Sequence, residues 1–258
     1  MFFKKQQPQV KNLAQKRITY TAPGGEAPKI YSDMLTSEPH ILIAGATGSG
    51  KSVLINSLLA RLIMEKTPAT AQLILIDPKK VELFPLRSLP HCIGYADTPQ
   101  SAAFELSKAV NLMNARYTQM QAQGVKSYQG AAVYIVIDEY ADLIVTAKKQ
   151  IEPLITRLVQ LGRAANFHLI IATQRPTREV ISGAIRVNLD FKIALHCATA
   201  QDSRNIIGQK GAETLPRFGY CYVLNSDGLN CWKLPPIDDK LPALVRWWTS
   251  PDCRRATA

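Results

Sequence analysis

The stretch that most limits what this chain can fold into is residues 40–52, His-Ile-Leu-Ile-Ala-Gly-Ala-Thr-Gly-Ser-Gly-Lys-Ser. Residues 41–44 form a short apolar run with the β-branching of a buried strand. Gly45, Ala46, Thr47, Gly48, Ser49, Gly50, Lys51 and Ser52 then satisfy every fixed position of the phosphate-loop pattern G-x-x-x-x-G-K-[ST]. Residues 53–64 place apolar side chains at helical spacing and contain no Pro or Gly. Strand, glycine loop, helix is the context in which that pattern carries chemistry. Glycines let the backbone approach a phosphate closely, and the N–H groups of the loop and helix start then face the anion. The sequence therefore predicts that residues 45–52 hold a nucleoside triphosphate. Lys51 is expected on the β- and γ-phosphates and the Ser52 hydroxyl on Mg²⁺.

Around that loop the chain reads as one α/β domain. Residues 72–76, 133–137 and 167–172 are further apolar runs of strand length, and residues 190–195 make a fifth. Helical stripes separate them. Ala102, Leu106, Val110, Met113, Tyr117 and Met120 follow a Thr98-Pro99 start and stop at Gly124. Ile151, Leu154, Ile155, Leu158 and Leu161 make the next stripe, with Pro153 expected in its first turn. Strands alternating with helices predict a mainly parallel sheet covered by helices on both faces. Residues 218–224 and 229–234 flank Asn225-Ser226-Asp227-Gly228 and predict a terminal β-hairpin.

A chain of 258 residues, 47% of them hydrophobic, can fill one sizeable core. Residues 1–22 are polar and basic, with Lys4, Lys5, Lys11, Lys16 and Arg17 among glutamines, and read as a mobile arm. Residues 23–240 are expected to form the ATPase domain, with a short element near 30–35. Residues 241–258, which include Trp247 and Trp248, form a C-terminal tail. Lys and Arg number 31 against 20 Asp and Glu, a formal charge of +11 that favours an acidic partner. Nucleic acid comes first and an anionic membrane surface second. No apolar run approaches the ~18 residues of a membrane span, and the first residues lack the apolar stretch of a secretory leader. The five cysteines are odd in number, contain no Cys-x-x-Cys pair, and read as reduced thiols of a cytoplasmic protein.

In a parallel α/β sheet, ligands gather at the carboxyl ends of the strands. Asp138 and Glu139 end the strand over residues 133–137. Asp138 is expected to hold Mg²⁺ through its water shell, and Glu139 to polarise the attacking water. Asp77 ends another strand and competes with Asp138, but Pro follows it where a second acid is expected. Gln174, just past residues 167–172, stands where a sensor could bond the γ-phosphate or the water. His40, His91, His168 and His196 are scattered and read as structural; neither a Ser/His/Asp triad nor a metal-ligand cluster stands out.

Several motifs go beyond the generic phosphate loop. Gly-Ala-Thr-Gly-Ser-Gly-Lys-Ser at 45–52 is followed by Ile-Asp-Pro-Lys at 76–79, with Glu82-Leu83. Then come Val-Ile-Asp-Glu-Tyr-Ala-Asp-Leu at 136–143, Leu-Gly-Arg-Ala-Ala at 161–165, His168-Leu169 and Ala-Thr-Gln-Arg-Pro at 172–176. Asp-Ser-Arg at 202–204 and Gly-Ala-Glu-Thr-Leu at 211–215 continue the series. In this order, from about residue 24 to residue 223, the chain resembles the motor of the FtsK/SpoIIIE family of DNA translocases. The resemblance implies a RecA-like P-loop ATPase fold, assembled as a ring hexamer that moves double-stranded DNA through its pore with ATP and Mg²⁺. Matched motif by motif, Arg163 corresponds to the family's arginine finger, offered to a neighbouring subunit's ATP. Arg175, Arg186 and Arg204 fall where the family places basic residues facing DNA.

The chain also departs from the family. Members usually carry a membrane segment and linker, a further domain before the motor, and a C-terminal winged helix that reads DNA orientation. Here about forty residues precede the loop and little follows Asp239. Ala200 and Lys192 stand where members often have Lys and Arg. The sequence leaves two other functions open: a coupling ATPase delivering DNA or protein to a transfer or secretion machine, and a DNA-binding module that uses ATP only to assemble.

Overall fold

The structure, a computed structural model, describes residues 39–189, 191–234 and 241–250. The expected basic arm, the element near 30–35 and Cys253 lie outside the described residues. The elements in order are β1 (His40–Ala44), α1 (Lys51–Glu65), β2 (Ala71–Ile76), a 3₁₀ turn at Phe84–Ser88, β3 (Cys92–Ala96), α2 (Pro99–Gln123) and β4 (Ala132–Ile137). They continue with α3 (Tyr140–Leu161), β5 (Phe167–Thr173), α4 (Gly183–Arg186), β6 (Phe191–Ala194), α5 (Ala200–Ile207), a 3₁₀ turn at Ala212–Thr214, β7 (Tyr220–Asn225), β8 (Gly228–Lys233) and α6 (Leu241–Thr249).

The strands form one eight-stranded sheet in the order β3-β2-β4-β5-β1-β6-β7-β8. Every pairing from β3 to β6 is parallel; β7 runs antiparallel to β6, and β8 closes the hairpin on β7. The period-two alternation of a strand divides its side chains between two cores. Leu42, Ile74, Ile76, Ile135, Ile137 and Leu169 point into one core with Leu106 and Met113 of α2 and Ile151, Ile155 and Leu158 of α3. Ile41, Ile43, Leu73, Leu75, Val136 and Ile170 point into the other, with Leu54, Leu58 and Leu62 of α1 and Trp248 of α6. Strands buried on both faces have to be apolar at every position, which is why β1, β2, β4 and β5 stand out in the sequence. No helix among the described residues is long and apolar enough to cross a membrane.

Three local expectations change. β3 lies at the sheet edge, half-exposed, paired only with β2, and interrupted by Gly94, so it lacks the continuous apolar run that marks the inner strands. Helix α3 starts at Tyr140, directly after the acidic pair, because Tyr140, Leu143 and Ile144 already bury against the sheet. The helix breaks at Ala147 (φ −135°, ψ 33°), so Pro153 lies inside its second half rather than in a first turn. The C-terminal segment contributes a packed helix. Trp248 is buried, its indole N–H donates to the Ile63 carbonyl at 3.0 Å, and its ring meets His91 edge-on at 4.6 Å.

Candidate nucleotide site

The loop after β1 is shaped by what crowds it from below. Gly45 packs so tightly that a Cβ there would lie 2.6 Å from Ser49 Oγ and 2.7 Å from Leu195 Cβ. Its N–H donates to Thr173 O at 3.4 Å, and the next, of Ala46, donates to His196 O at 2.8 Å, tying the loop to both neighbouring strands. Gly50 caps α1 in the left-handed region (φ 92°, ψ 14°), a conformation that costs glycine little. No side chain caps this helix, so its first N–H groups are left for an anion at the positive end of the helix dipole. Ser49 Oγ is buried without a hydrogen-bond partner among the described residues.

The strand order places β5 between β1 and β4, and the carboxyl ends of all three meet over this loop. Lys51, 5% exposed, donates to Asp138 Oδ1 at 2.9 Å and to the Asp138 carbonyl. Glu139, 2% exposed, accepts Thr173 Oγ1–H at 2.7 Å and the Gln174 N–H at 3.0 Å. Lys79 Nζ stands 3.7 Å from Glu139 Oε2 and 3.8 Å from Asp142 Oδ2. Gln174 reaches the loop itself, its Oε1 accepting Thr47 Oγ1–H at 2.7 Å. The fold thus brings Lys51, Ser52, Asp138, Glu139 and Gln174 to one edge. Asp77, the competing acid, is otherwise engaged: its Oδ2 accepts the N–H groups of Leu83 at 2.9 Å and Phe84 at 3.2 Å, shaping the turn after β2.

Two participants escaped the sequence reading. Thr173 holds Glu139 and also accepts the Arg175 N–H at 3.1 Å, joining the acid to the loop that leaves β5. Thr173 stands in the Ala-Thr-Gln-Arg-Pro run, but nothing in that run says that its hydroxyl reaches Glu139. Lys79 likewise stands in the Asp-Pro-Lys run, but only the turn built on Asp77 shows that it folds back toward Glu139.

The arginines are distributed differently. Arg163 follows α3, at the amino ends of the strands, close enough to His40 for its charge to oppose protonation of that imidazole. Burial first, and then the charge of His168, push the His40 pKa down to about 3; burial brings His168 to about 4. From His40 to Ala44 is about 13 Å of strand, at ~3.3 Å per residue, so Arg163 stands far from its own Lys51. Arg175 and Arg204 are exposed. Arg186 is turned inward: its guanidinium donates to Ile181 O at 3.1 Å and to the Asn205 carbonyl, tying α4 to α5. No cluster of His, Cys, Asp and Glu among the described residues could hold a metal by itself.

A glycine loop between a parallel strand and a helix, with an acidic strand end facing its lysine, defines a P-loop nucleotide-binding domain. The FtsK/SpoIIIE family model matches residues 6–135 and 128–178, beginning inside the segment read as an arm, and the chain belongs to that family. DNA translocase SpoIIIE of Bacillus subtilis is 39% identical over 201 residues, covering 70% of this chain and 26% of that protein. DNA translocase FtsK of Borreliella burgdorferi is 41% identical over 197 residues, 70% of this chain and 25% of that one. The chain thus spans about a quarter of the length of these relatives. Among solved structures, the pCW3 conjugation coupling protein TcpA, in a monomer form with ATPγS, aligns at a TM-score of 0.72 and 24% identity, over 83% of this chain and 66% of that one. The cytoplasmic domain of the Thermomonospora curvata type VII secretion ATPase EccC aligns at 0.71 and 24%, over 81% and 28%. Both show the same fold.

Proposed function

We propose that this chain is the ATP-hydrolysing motor core of a cytoplasmic double-stranded DNA translocase of the FtsK/SpoIIIE type. The observation that carries the reading is the convergence of Lys51, Asp138, Glu139 and Gln174 on one strand edge. Identity of about 40% to DNA translocases, against 24% to the coupling and secretion ATPases, supports a translocase over a coupling machine.

A triphosphate would draw Lys51 from Asp138 to the β- and γ-phosphates and settle on the free N–H groups at the start of α1. The residues fit Mg²⁺: the hydroxyl of Ser52 and Asp138 Oδ2, which receives no hydrogen bond among the described residues, would hold it beside the phosphates. When bound, that ion neutralises phosphate charge. Glu139, its carboxylate aligned by Thr173 and Gln174, is the base for the attacking water. Gln174 bridges the loop and the strand that carries Thr173, as a sensor of the γ-phosphate would. Arg163, at the other end of the strands, acts on a neighbouring subunit's nucleotide, and this head-to-tail arrangement closes as a ring, which we take to be a hexamer. The +11 charge and exposed Arg175 and Arg204 suit a phosphate-lined partner. The four described cysteines are free thiols, in keeping with the cytoplasm.

The test is ATP hydrolysis with and without linear duplex DNA across protein concentration. Turnover per subunit should rise with concentration and again with DNA. Full DNA-stimulated turnover by a monomer would remove the finger in trans, and turnover indifferent to DNA would remove the translocase.

A further inference from the structure

We propose that Arg116 is the positioning residue for Arg163, fixing the turn from which Arg163 reaches across to a neighbouring subunit. The inference rests on the reading of Arg163 as a finger in trans. Arg116, on α2, is 4% exposed, yet no carboxylate pairs with it among the described residues. A buried cation without a counter-ion is costly unless particular groups take over the work of water.

Those groups belong to the turn that carries Arg163 or pack directly on it. Arg116 Nη1 donates to Ala165 O at 2.8 Å and to Asn166 O at 3.3 Å. Its guanidinium lies 4.3 Å from the ring centre of Tyr128 and 4.8 Å from that of Phe167, where the ring faces attract a cation. The same turn is braced from three more directions. Tyr117 Oη donates to Leu161 O at 2.7 Å, the Tyr128 N–H donates to Ala164 O at 2.8 Å, and Asn166 Nδ2 donates to Gly130 O at 2.9 Å. Asn166 itself takes the left-handed conformation (φ 60°) that turns the chain into β5.

Backbone carbonyls on both sides of Arg163 are therefore pinned, while its own side chain is exposed and makes no hydrogen bond or ion pair among the described residues. Filling space at position 116 would need only Leu or Met, whereas one nitrogen held against two neighbouring carbonyls while the cation's plane rests on two rings is what a guanidinium supplies. A fixed backbone under a free, long cation suits a group that must meet a partner's phosphate in one geometry, since a displacement of about 1 Å at such a group can cost about 10²-fold in rate.

The test uses the full chain and intersubunit complementation. Arg116→Lys keeps the charge and loses the planar group that faces both rings while Nη1 reaches the turn. It should bind ATP and self-associate as the wild type does, with kcat lower by about 10²-fold and KM little changed. Glu139→Gln alone should be inactive. In an equal mixture, an Arg116→Lys subunit keeps its own Glu139 and receives Arg163 from a Glu139→Gln neighbour, so turnover should reappear in part. A subunit that was merely unstable would restore nothing. Arg163→Ala mixed with Glu139→Gln is the reference pair. Recovery there, with none for Arg116→Lys, overturns the role of Arg116 and leaves the finger standing. No recovery in the reference pair overturns the finger in trans and Arg116 with it. Wild-type kcat in Arg116→Lys alone also overturns the proposal. Should Arg116→Lys not fold, Tyr117→Phe removes one hydroxyl from the same turn and must show the same complementation, or the proposal fails.

Discussion

Glu139 and Lys51 share a site but are held in different ways, and their substitutions should separate accordingly. Lys51 meets phosphate in both ground and transition states, so Lys51→Ala should lose nucleotide affinity and hydrolysis together. Glu139 is gripped by Thr173 and the Gln174 N–H, while Lys51 is bonded to Asp138. Glu139→Gln should therefore still bind ATP while turnover falls by about 10²–10⁴-fold, the range of a lost general base. Equilibrium binding of a fluorescent ATP analogue beside a phosphate-release assay checks both; loss of binding in Glu139→Gln would place the carboxylate on the nucleotide instead. Thr173→Val keeps the shape of a buried side chain and removes the hydroxyl. It should lower kcat about tenfold, as expected when one hydrogen bond of about 1–2 kcal/mol to a charged group is lost, and leave ATP affinity unchanged. Lys51, Asp138, Glu139 and Gln174 were nominated by the sequence because each residue type in its motif has a chemical reason to be there. Thr173 was not, since its task exists only once β4 and β5 lie side by side.

Strands that bury both faces announced themselves in the sequence, edge strand β8 did so through its hairpin turn, and edge strand β3 did not. β1, β2, β4 and β5 are continuous apolar runs, whereas edge strand β3 is half-exposed and was missed. The C-terminal helix was hidden for a similar reason. Leu241–Thr249 is short, and nothing in its sequence says that Trp248, rather than Trp247, seats against α1. Trp248→Ala should destabilise the fold by about 3–5 kcal/mol in urea denaturation, with Trp247→Ala, exposed to 46%, costing about 1 or less. Equal effects would mean that the helix is not seated this way. The amino ends of β1 and β5 hold a second buried device, His40 beside His168, the latter stacked on Tyr134 at 4.7 Å. Both imidazoles have folded-state pKa values, about 3 and about 4, below the ordinary imidazole value of 6.5. As pH falls from about 6.5 to about 4, the unfolded chain therefore binds protons that the folded one refuses. Stability should drop across that window, by up to about 1.4 kcal/mol per pH unit for each imidazole, and be fully present above it. Urea midpoints at about pH 7.5 and about pH 5 check the sign; a flat profile would mean that both rings are protonated in the folded state.

At the scale of the whole molecule, the proposed function asks the basic surface to hold a duplex that slides, and this makes the arginines distinguishable. A motor indifferent to sequence should hold phosphates rather than base edges. Each phosphate neutralised contributes about −0.9 to the slope of log affinity against log salt on duplex DNA. Arg175 leaves the carboxyl end of β5 beside Gln174, and Arg204 lies on α5; both are exposed. Arg186, matched to the same family pattern in the sequence, is bonded through both ends of its guanidinium to backbone carbonyls, and nearby Arg178 adds its own charge. The three substitutions should therefore diverge. Arg175→Ala and Arg204→Ala should each flatten the salt slope by about one, weaken all sequences alike, and leave the unfolding midpoint nearly unchanged. Arg186→Ala should lower the midpoint, because two carbonyls joining α4 and α5 lose their donor, and should leave the slope of the protein that remains folded unaltered. Fluorescence anisotropy on a labelled duplex between about 50 and 200 mM salt, with thermal melts run alongside, separates the two behaviours. If Arg186→Ala flattened the slope with an unchanged melt, its guanidinium would have to swing out to meet DNA. If none of the three moved the slope, the duplex would lie on another face and the basic excess would have to be traced elsewhere on the chain.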